Sequence, residues 1–311
     1  MEYTIYKLEF QTGVHFGTGA MDDGAYIFHA DQLFSAMYIE ALKLGKAQNF
    51  YEAVKAGNLL LSDALPYIDK QYLIPKPMIY VQTDRQGESK QKKAYKKLKY
   101  LPVEKIDEFL TGNMNLESDP MRGFGQMQQQ TMAHVRKDED TLPYRVGTFY
   151  YAPGCGLYVI IAFQSDEELY LAEELLESLS YTGIGGKKNS GMGKFQFRKG
   201  KPSPELEKRL CEKSSRNILI STALPAEEEM EAAMDGASYL LEKDQALWLL
   251  VIMHLNGTKR RICMYLPQVL ALQTAFWAIF MMCLMVEIMQ YIVMQRLCFW
   301  GCRYATVFKT L

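Results

Sequence analysis

YTGIGGKKNSGMGKF, residues 181–195, sets five glycines (Gly183, Gly185, Gly186, Gly191 and Gly193) among three lysines (Lys187, Lys188 and Lys194). Glycine allows positive φ and close backbone approach. Successive exposed N–H groups form an anion-binding concavity, and the lysines add charge to it. The stretch is not a P-loop. That motif needs Lys and then Ser or Thr after its last Gly, whereas Gly193-Lys194 runs into Phe195. Asp166–Ser180 before it carries Leu169, Ala172, Leu175, Leu176 and Leu179 at helical spacing, and a strand follows it to Arg198. Nucleotide-binding loops pass from strand to helix; this one passes from helix to strand. Gly183, Gly185, Gly186, Lys187, Lys188, Asn189, Ser190, Gly191, Gly193 and Lys194 are therefore expected to hold a phosphate backbone. A glycine-rich structural turn is the competing reading.

Upstream, periodicity orders the elements. Tyr3–Gln11 alternates, with Ile5, Tyr6, Leu8 and Phe10 apolar, and predicts a strand. A Gly-rich loop, Thr12–Ala25, leads to a helix with Asp31 as the expected N-cap and Gly45 at its end. Its apolar face is Leu33, Phe34, Met37, Ile39, Ala41 and Leu42. A helix N-terminus behind such a loop offers N–H groups and a positive dipole end to a phosphate. Gly17, Thr18, Gly19, His29, Gln32 and Ser35 join the candidate contacts on that ground; for His29 a capping or interface role is the alternative. Leu59–Leu61 and Tyr72–Val81 predict strands, and Pro75 and Pro77 put the second at an edge or bulge. Arg145–Tyr151 and Leu157–Phe163 predict a hairpin turned by Pro153-Gly154-Cys155-Gly156.

Strand, helix, strands, hairpin, helix, strand is a βαββαβ order, the split βαβ or ferredoxin-like unit. Lys199–Arg216 reads as a polar, Pro-containing linker, after which Asn217–Leu224 predicts a strand and Pro225–Met234 a helix. The expected fold class is α+β. Two ferredoxin-like (RRM-like) domains span 1–198 and 217–311, joined by 199–216, with insertions at 84–142 in the first.

One insertion is basic: Arg85–Lys99 holds seven basic residues against Glu88 alone, with Tyr95 and Tyr100 interleaved. A solvated helix face is its plain reading, with room left for RNA or partner contact. The other, Met121–Thr141, is polar, and Arg122, Arg136, Arg145, Gln126, Gln128 and His134 on a flexible hairpin can reach a phosphodiester or splay bases.

The 311 residues, 49% hydrophobic and 23% charged, exclude wholesale disorder, and a formal net charge of -1 excludes a uniformly basic nucleic-acid sleeve. Six cysteines with no CxxC are too few for a disulfide scaffold or a zinc site. MEYTIYKLEF has no basic stretch followed by an apolar one, so the reduced cytoplasm is expected. The four histidines (His15, His29, His134 and His254) pair with no carboxylate at ligand spacing. No HD, HExxH or Ser-His-Asp arrangement appears, and Cys155 has no evident base. Neither catalytic residues nor a metal or cofactor is expected.

From Ile262 to Val286 there is no charged residue. Three readings compete: a membrane span flanked by Lys259-Arg260-Arg261, a buried helix, or a shifted coding frame. Bases that encode Met264–Leu272 can, read one frame away, encode Tyr-Val-Phe-Ala-Ala-Gly-Ser-Cys-Phe. In the same frame Ala275–Met282 is compatible with Val-Leu-Gly-Asp-Ile-Tyr-Asp-Val. Both are ordinary strand and turn sequence, so the shifted frame is the leading expectation.

The loop pattern G-x-G-G-K-x-x-S-G-x-G-K-F at the end of a ferredoxin-like unit resembles the RAMP superfamily of CRISPR proteins. FHADQLFSAMYIEALKLG (28–45), LLLSDALPYI (59–68), YLIPKPM (72–78), KKLKYLPVEKIDEFLTG (96–112), PYRVGTFYYAPGCGLYVI (143–160) and YTGIGGKKNSGMGKF (181–195) resemble, more closely, the family of the fourth Csm subunit of type III-A effector complexes. The resemblance runs to about residue 244 and fails past 259. It implies a non-catalytic, cofactor-free RNA-binding subunit that grips the 5′ handle of the crRNA. It also implies docking on the large polymerase-cyclase subunit beside the adjacent backbone RAMP subunit, and no membrane. A thumb, placed by position at Met121–Tyr144, would reach toward the target RNA. Two alternatives stay open: a guide-processing endoribonuclease of the same superfamily with His29 or His15 as base, and a tail-anchored membrane protein.

Overall fold

Leu157–Phe163 is apolar at every position, which suits a strand whose sheet is covered on both faces. The computed structural model describes residues 1–79, 81, 89–116, 118–136, 139–212, 217–223, 233, 237–240, 242–244, 263–265, 278–280, 302–304 and 307–309. In chain order the elements are β1 (Glu2–Phe10), α1 (Ala30–Lys43), α2 (Ala47–Lys55), β2 (Leu59–Leu61), β3 (Leu65–Ile68), β4 (Gln71–Pro75), α3 (Ser89–Lys97) and β5 (Tyr100–Pro102). Then follow α4 (Ile106–Leu110), β6 (Gly125–Arg136), β7 (Glu139–Tyr151), β8 (Cys155–Phe163), α5 (Asp166–Thr182), β9 (Phe195–Gly200), α6 (Pro204–Cys211) and β10 (Asn217–Leu219). Five short strands come last: β11 (Glu242–Asp244), β12 (Cys263–Tyr265), β13 (Ala278–Phe280), β14 (Cys302–Tyr304) and β15 (Val307–Lys309). They pair β10 with β15, β11 with β12 and β13 with β14. The fold is mixed α/β, and its sheets are antiparallel.

The main sheet runs β5-β4-β3-β8-β1-β9, with β2 also on β8. Leu59–Leu61 pairs with Phe163–Ile161 and Leu65–Ile68 with Tyr158–Cys155, so β2 and β3 are one strand interrupted at Ser62–Ala64. Alternation then divides the core. Tyr6, Leu8, Leu157, Val159 and Ile161 face α1 and α5, where Leu33, Phe34, Met37, Leu175, Leu176 and Leu179 meet them. Ile5, Tyr158 and Ile160 face the other way, onto Tyr67, Tyr72, Leu206, Ile218 and Ile220.

Several expectations are corrected. Arg145–Tyr151 belongs to β7, which pairs with β6 and not with β8, while β8 pairs with β1, β2 and β3. The expected strand Tyr72–Val81 ends at Pro75, and it lies inside the sheet because β5 covers its outer side. Pro75 is tolerated there as the last residue of the strand. The N-cap of α1 is His29, and Asp31 sits in the first turn. The stretch read as linker contains α6, started by Ser203 (its Oγ accepts from Leu206 N–H at 3.3 Å) with Pro204 as first residue. Tyr100 is 3% exposed and belongs to the core rather than to a ligand surface. The expected helix Pro225–Met234 and most of 262–286 lie outside the described residues. Among the described residues no helix is long and apolar enough to cross a membrane.

Glu40 joins the two helices of the first core layer. Its fully buried carboxylate accepts from Lys43 Nζ at 2.6 Å and from Ser178 Oγ at 2.8 Å. Burial pushes this carboxyl up, but the hydrogen bonds from Lys43 and Ser178 outweigh it and hold it below the ordinary glutamate value. A carboxyl depressed in the folded state contributes stability above its unfolded pKa and loses it as pH falls through the folded one. Glu40→Gln is therefore expected to cost about 2 kcal/mol at neutral pH. The gap to the parent chain, read by urea unfolding, should close as the pH drops well below 4.5. A gap that stays constant from neutral to acid pH would contradict this.

Candidate nucleic-acid interface

The Gly-rich loop begins where α5 stops, at Gly183 with φ 85°. It closes on itself through Ile184 N–H to Gly193 O at 3.0 Å. Two further amides bind the β1–α1 loop: Gly186 N–H to His15 O at 2.8 Å and Gly193 N–H to Gly13 O at 3.0 Å. Lys194 N–H donates to Thr12 Oγ1 at 3.1 Å. Lys188–Ser190 forms one 3-10 turn, which occupies the N–H groups of Ser190 and Gly191. The amides of Ile184, Gly186, Ser190, Gly191, Gly193 and Lys194 are thus used in holding the loop's own shape. What the loop turns outward is side chain: Asn189, Ser190 and Lys194 are exposed and Lys188 half-buried. Lys187 adopts φ 59°, and its Nζ lies 3.1 Å from Tyr144 Oη and 4.5 Å from the centre of that ring.

Three segments meet at this loop. In the β1–α1 loop, Gly17, Thr18 and Gly19 are exposed, and Thr18 Oγ1 donates to Asp23 at 3.4 Å. His15 is buried with Nδ1 2.6 Å from Gly147 O, which fastens the β7 strand. The hairpin is also held by the Val14–Phe149 bridge, by Gly147 N–H to Met21 O at 2.9 Å, and by Gln129 Nε2 to Asp22 O at 3.3 Å. Phe16 links the loop to α1. Its ring lies 3.0 Å from where a Cβ on Gly185 would sit, and 5.0 Å from the ring of Phe28, next to His29.

The hairpin is longer than the expected 121–144. It pairs Gly125 with Tyr151 through to Arg136 with Glu139, with a register shift between His134 and Arg136. Arg145 is exposed opposite Thr131, Gln126 and Gln128 are exposed, and Arg122 is exposed in the turn before β6. The side chains of His134 and Arg136 lie outside the described residues.

His29 stands on a different set of contacts. Its Nδ1 is 3.1 Å from Asp63 Oδ2, and its N–H reaches Gln32 Oε1 at 3.4 Å. Asp63, fully buried, also accepts from Ala30 N–H at 2.8 Å, from Thr222 N–H at 3.0 Å and from Thr222 Oγ1 at 3.2 Å. Ser35 is half-buried on α1. Asp63, Thr222 and Tyr144 are the positioning residues that sequence reasoning missed. A single acid inside the apolar run LLLSDALPYI was the available signal for Asp63. His15 and His29 hold separate partners, and burial, helped by Asp69, pushes the Cys155 thiol up, away from a nucleophile. Among the described residues no three His, Cys, Asp or Glu side chains are placed to hold a metal.

No family model matches the chain. A curated protein named CRISPR system Cms protein Csm4, from Streptococcus thermophilus, is 34% identical over 254 residues, which cover 78% of this chain and 80% of its own. A namesake from Mycobacterium tuberculosis (strain ATCC 25618 / H37Rv) is 34% identical over 247 residues, 78% of this chain and 79% of its own. Among solved structures, a chain of a Csm3-Csm4 subcomplex in the type III-A CRISPR-Cas interference complex aligns with TM-score 0.61 and 15% identity, over 90% of this chain and 95% of that one. A chain of a Csm1-Csm4 cassette in complex with pppApA aligns with TM-score 0.53 and 15% identity, over 98% and 97%. At such identities the structural matches establish the fold alone.

Proposed function

The chain belongs to the Csm4 family, and from that premise we propose that it is the crRNA-holding subunit of a type III-A CRISPR effector complex. In that role it grips the 5′ handle of the guide and bridges a Csm1-type large subunit to a Csm3-type backbone subunit. The names of its relatives support the assembly, since Csm4 is found with Csm3 and with Csm1. The observation that carries the RNA role is the stitching of three segments at one place. The Gly-rich loop, the β1–α1 loop and the hairpin base hold each other by backbone bonds, leaving Lys188, Asn189, Ser190, Lys194, Gly17, Thr18, Gly19 and Arg145 for a strand. His29, Gln32 and Ser35 extend this surface along α1, and Arg122 and Arg136 extend it along the hairpin, whose far end would reach the guide–target duplex.

The sheet order β9-β1-β8-β2, with α1 and α5 on one face, supports a first ferredoxin-like unit over 1–198. Residues 217–311 are the proposed second. The subunit is proposed to act in the cytoplasm, without a cofactor and without a reaction of its own. The His29–Asp63 pair has the geometry that orients a general base, which is the one feature favouring a guide-processing ribonuclease. We read it as a clasp, because the same carboxylate also binds Ala30 and Thr222.

Lys188→Gln with Lys194→Gln tests the reading on the full chain with a guide carrying its handle. Each phosphate contact contributes about 0.7 to the slope of log K against log salt for single strands. The double variant should flatten that slope by about 1.4, and the RNA should be recovered uncut. An unchanged slope would remove the loop from the interface, and cleavage abolished by His29→Ala would promote the ribonuclease.

A further inference from the structure

Helix α3 is assembled against its own electrostatics. Ser89–Lys97 holds Lys90, Lys92, Lys93, Lys96 and Lys97 and no acid. Lys96 and Lys97 in the last turn suit the negative end of the helix dipole, but lysines in the first turn oppose its positive end, and like charges four residues apart, Lys93 and Lys97, destabilise a helix. The helix is nonetheless firmly seated. Tyr95 donates its hydroxyl to Met114 O and stacks on Phe109 at 5.8 Å, Leu98 is buried, and Lys76 N–H bonds Lys99 O at 2.9 Å. Ala94, Tyr95 and Leu98 take the inner side, which turns Lys93, Lys96 and Lys97 to solvent, with Lys99 beyond them.

Several other surface lysines and arginines, in contrast, each have an acid beside them. Lys43 pairs with Glu40, Lys46 with Glu174, Arg198 with Glu9, Lys199 with Glu173, and Lys208 with Glu212. Among the described residues, Lys93, Lys96, Lys97 and Lys99 form no ion pair. A local rule broken without compensation inside the chain is expected where a ligand supplies the compensation.

We infer that α3 is a second RNA-binding site, taking the phosphate backbone of a single strand on Lys93, Lys96, Lys97 and Lys99. This rests on the reading that the chain holds RNA. Lys93 and Lys97 stand one helical turn apart, about 6 Å, so they meet neighbouring phosphates rather than one. Protein partners are anchored by buried aromatic or aliphatic side chains; here the aromatic is turned inward, and among the described side chains the exposed ones are Lys93, Lys96, Lys97 and Lys99. The site is separate from the Gly-rich loop. α3 leads into β5 and the loop into β9, the two outer strands of the sheet, five strand spacings or about 24 Å apart. A strand held at the loop reaches α3 only if it continues several nucleotides further.

Strand length therefore tests the inference. The full chain is titrated over a range of salt with a short oligonucleotide that covers only the loop, and with one several times longer. Lys93→Gln with Lys96→Gln and Lys97→Gln keeps helix propensity and removes three charges. It should flatten the salt slope by about 2 on the long RNA and leave the short RNA unchanged. Lys46→Gln with Lys199→Gln and Lys208→Gln, which removes three paired lysines, should change neither. An unchanged slope on the long RNA overturns the site, as does equal flattening by the paired-lysine variant. Lys188→Gln with Lys194→Gln acts on both lengths, so failure at the loop and failure at α3 are read separately.

Discussion

Gly193→Ala is expected to lower the unfolding free energy by about 3 kcal/mol or more and to abolish guide binding with it. Gly193 has φ 76°, and a Cβ there would stand 2.0 Å from Ile184 O, the carbonyl of the residue whose N–H bonds back to Gly193. The left-handed conformation alone costs a non-glycine residue about 1–2 kcal/mol. The clash adds to it, because the obstructing atom is backbone and can move only by opening the loop. Gly191 is the control. It has φ 82° but open space around its missing side chain, so Gly191→Ala should cost only about 1 kcal/mol. Urea titrations of the two variants make the comparison. Equal losses would mean that backbone conformation alone, not the close approach, fixes the loop.

Asp63→Ala is expected to cost about 3–5 kcal/mol. Four groups lose their acceptor at once: the N–H of Ala30, the N–H and Oγ1 of Thr222, and the His29 imidazole. Thr222→Val removes only the hydroxyl and should cost about 1 kcal/mol. The variants should also differ in location. Losing the carboxylate frees the segment 217–223, which otherwise bonds the interrupted strand through Asp63 N–H to Ile220 O at 3.0 Å. Hydrogen exchange should then rise at Ile218 and Ile220 and stay low in β1 and β8. A Thr222→Val chain as unstable as Asp63→Ala would show that the hydroxyl, not the carboxylate, is the fastening.

Both residues bear on what the sequence made legible. Glycines with lysines between a 3.6-period helix and a strand located the loop, and the alternation of Tyr3–Phe10 located β1, because local patterns carry that information. The N-cap of α1 was misplaced for a physical reason. The acceptor on Ala30 N–H comes from Asp63, 33 residues away, and no local rule looks that far. The hairpin was mispaired for another. GQMQQQTMAHVR has solvent on both sides over most of its length and shows no apolar alternation, so nothing fixed a partner for β7 from sequence. The turn Pro153–Gly156 supplied a false one next to it. The Gly-rich loop lies where the glycine pattern puts it, but the amides of Ile184, Gly186, Ser190, Gly191, Gly193 and Lys194 bond within the protein. Spacing cannot tell an N–H facing outward from one facing inward.

The hairpin is tied to the rest of the protein from its base, where Tyr26, Phe124, Phe149 and Tyr151 rest on one another and Tyr151 donates its hydroxyl to Tyr26 O at 2.7 Å, out to Tyr144, which meets Lys187 Nζ at 3.1 Å. Beyond Tyr144 the ribbon continues to the register shift at His134–Arg136 with its own ladder, and among the described residues that outer part belongs to neither core. Its length is therefore a free variable. Matched pairs of residues added to both strands lengthen the arm and keep every side chain on its face, whereas a single residue added to one strand turns that strand over. A lineage can reset how far this ruler extends, two residues at a time, without the sheet registering the change.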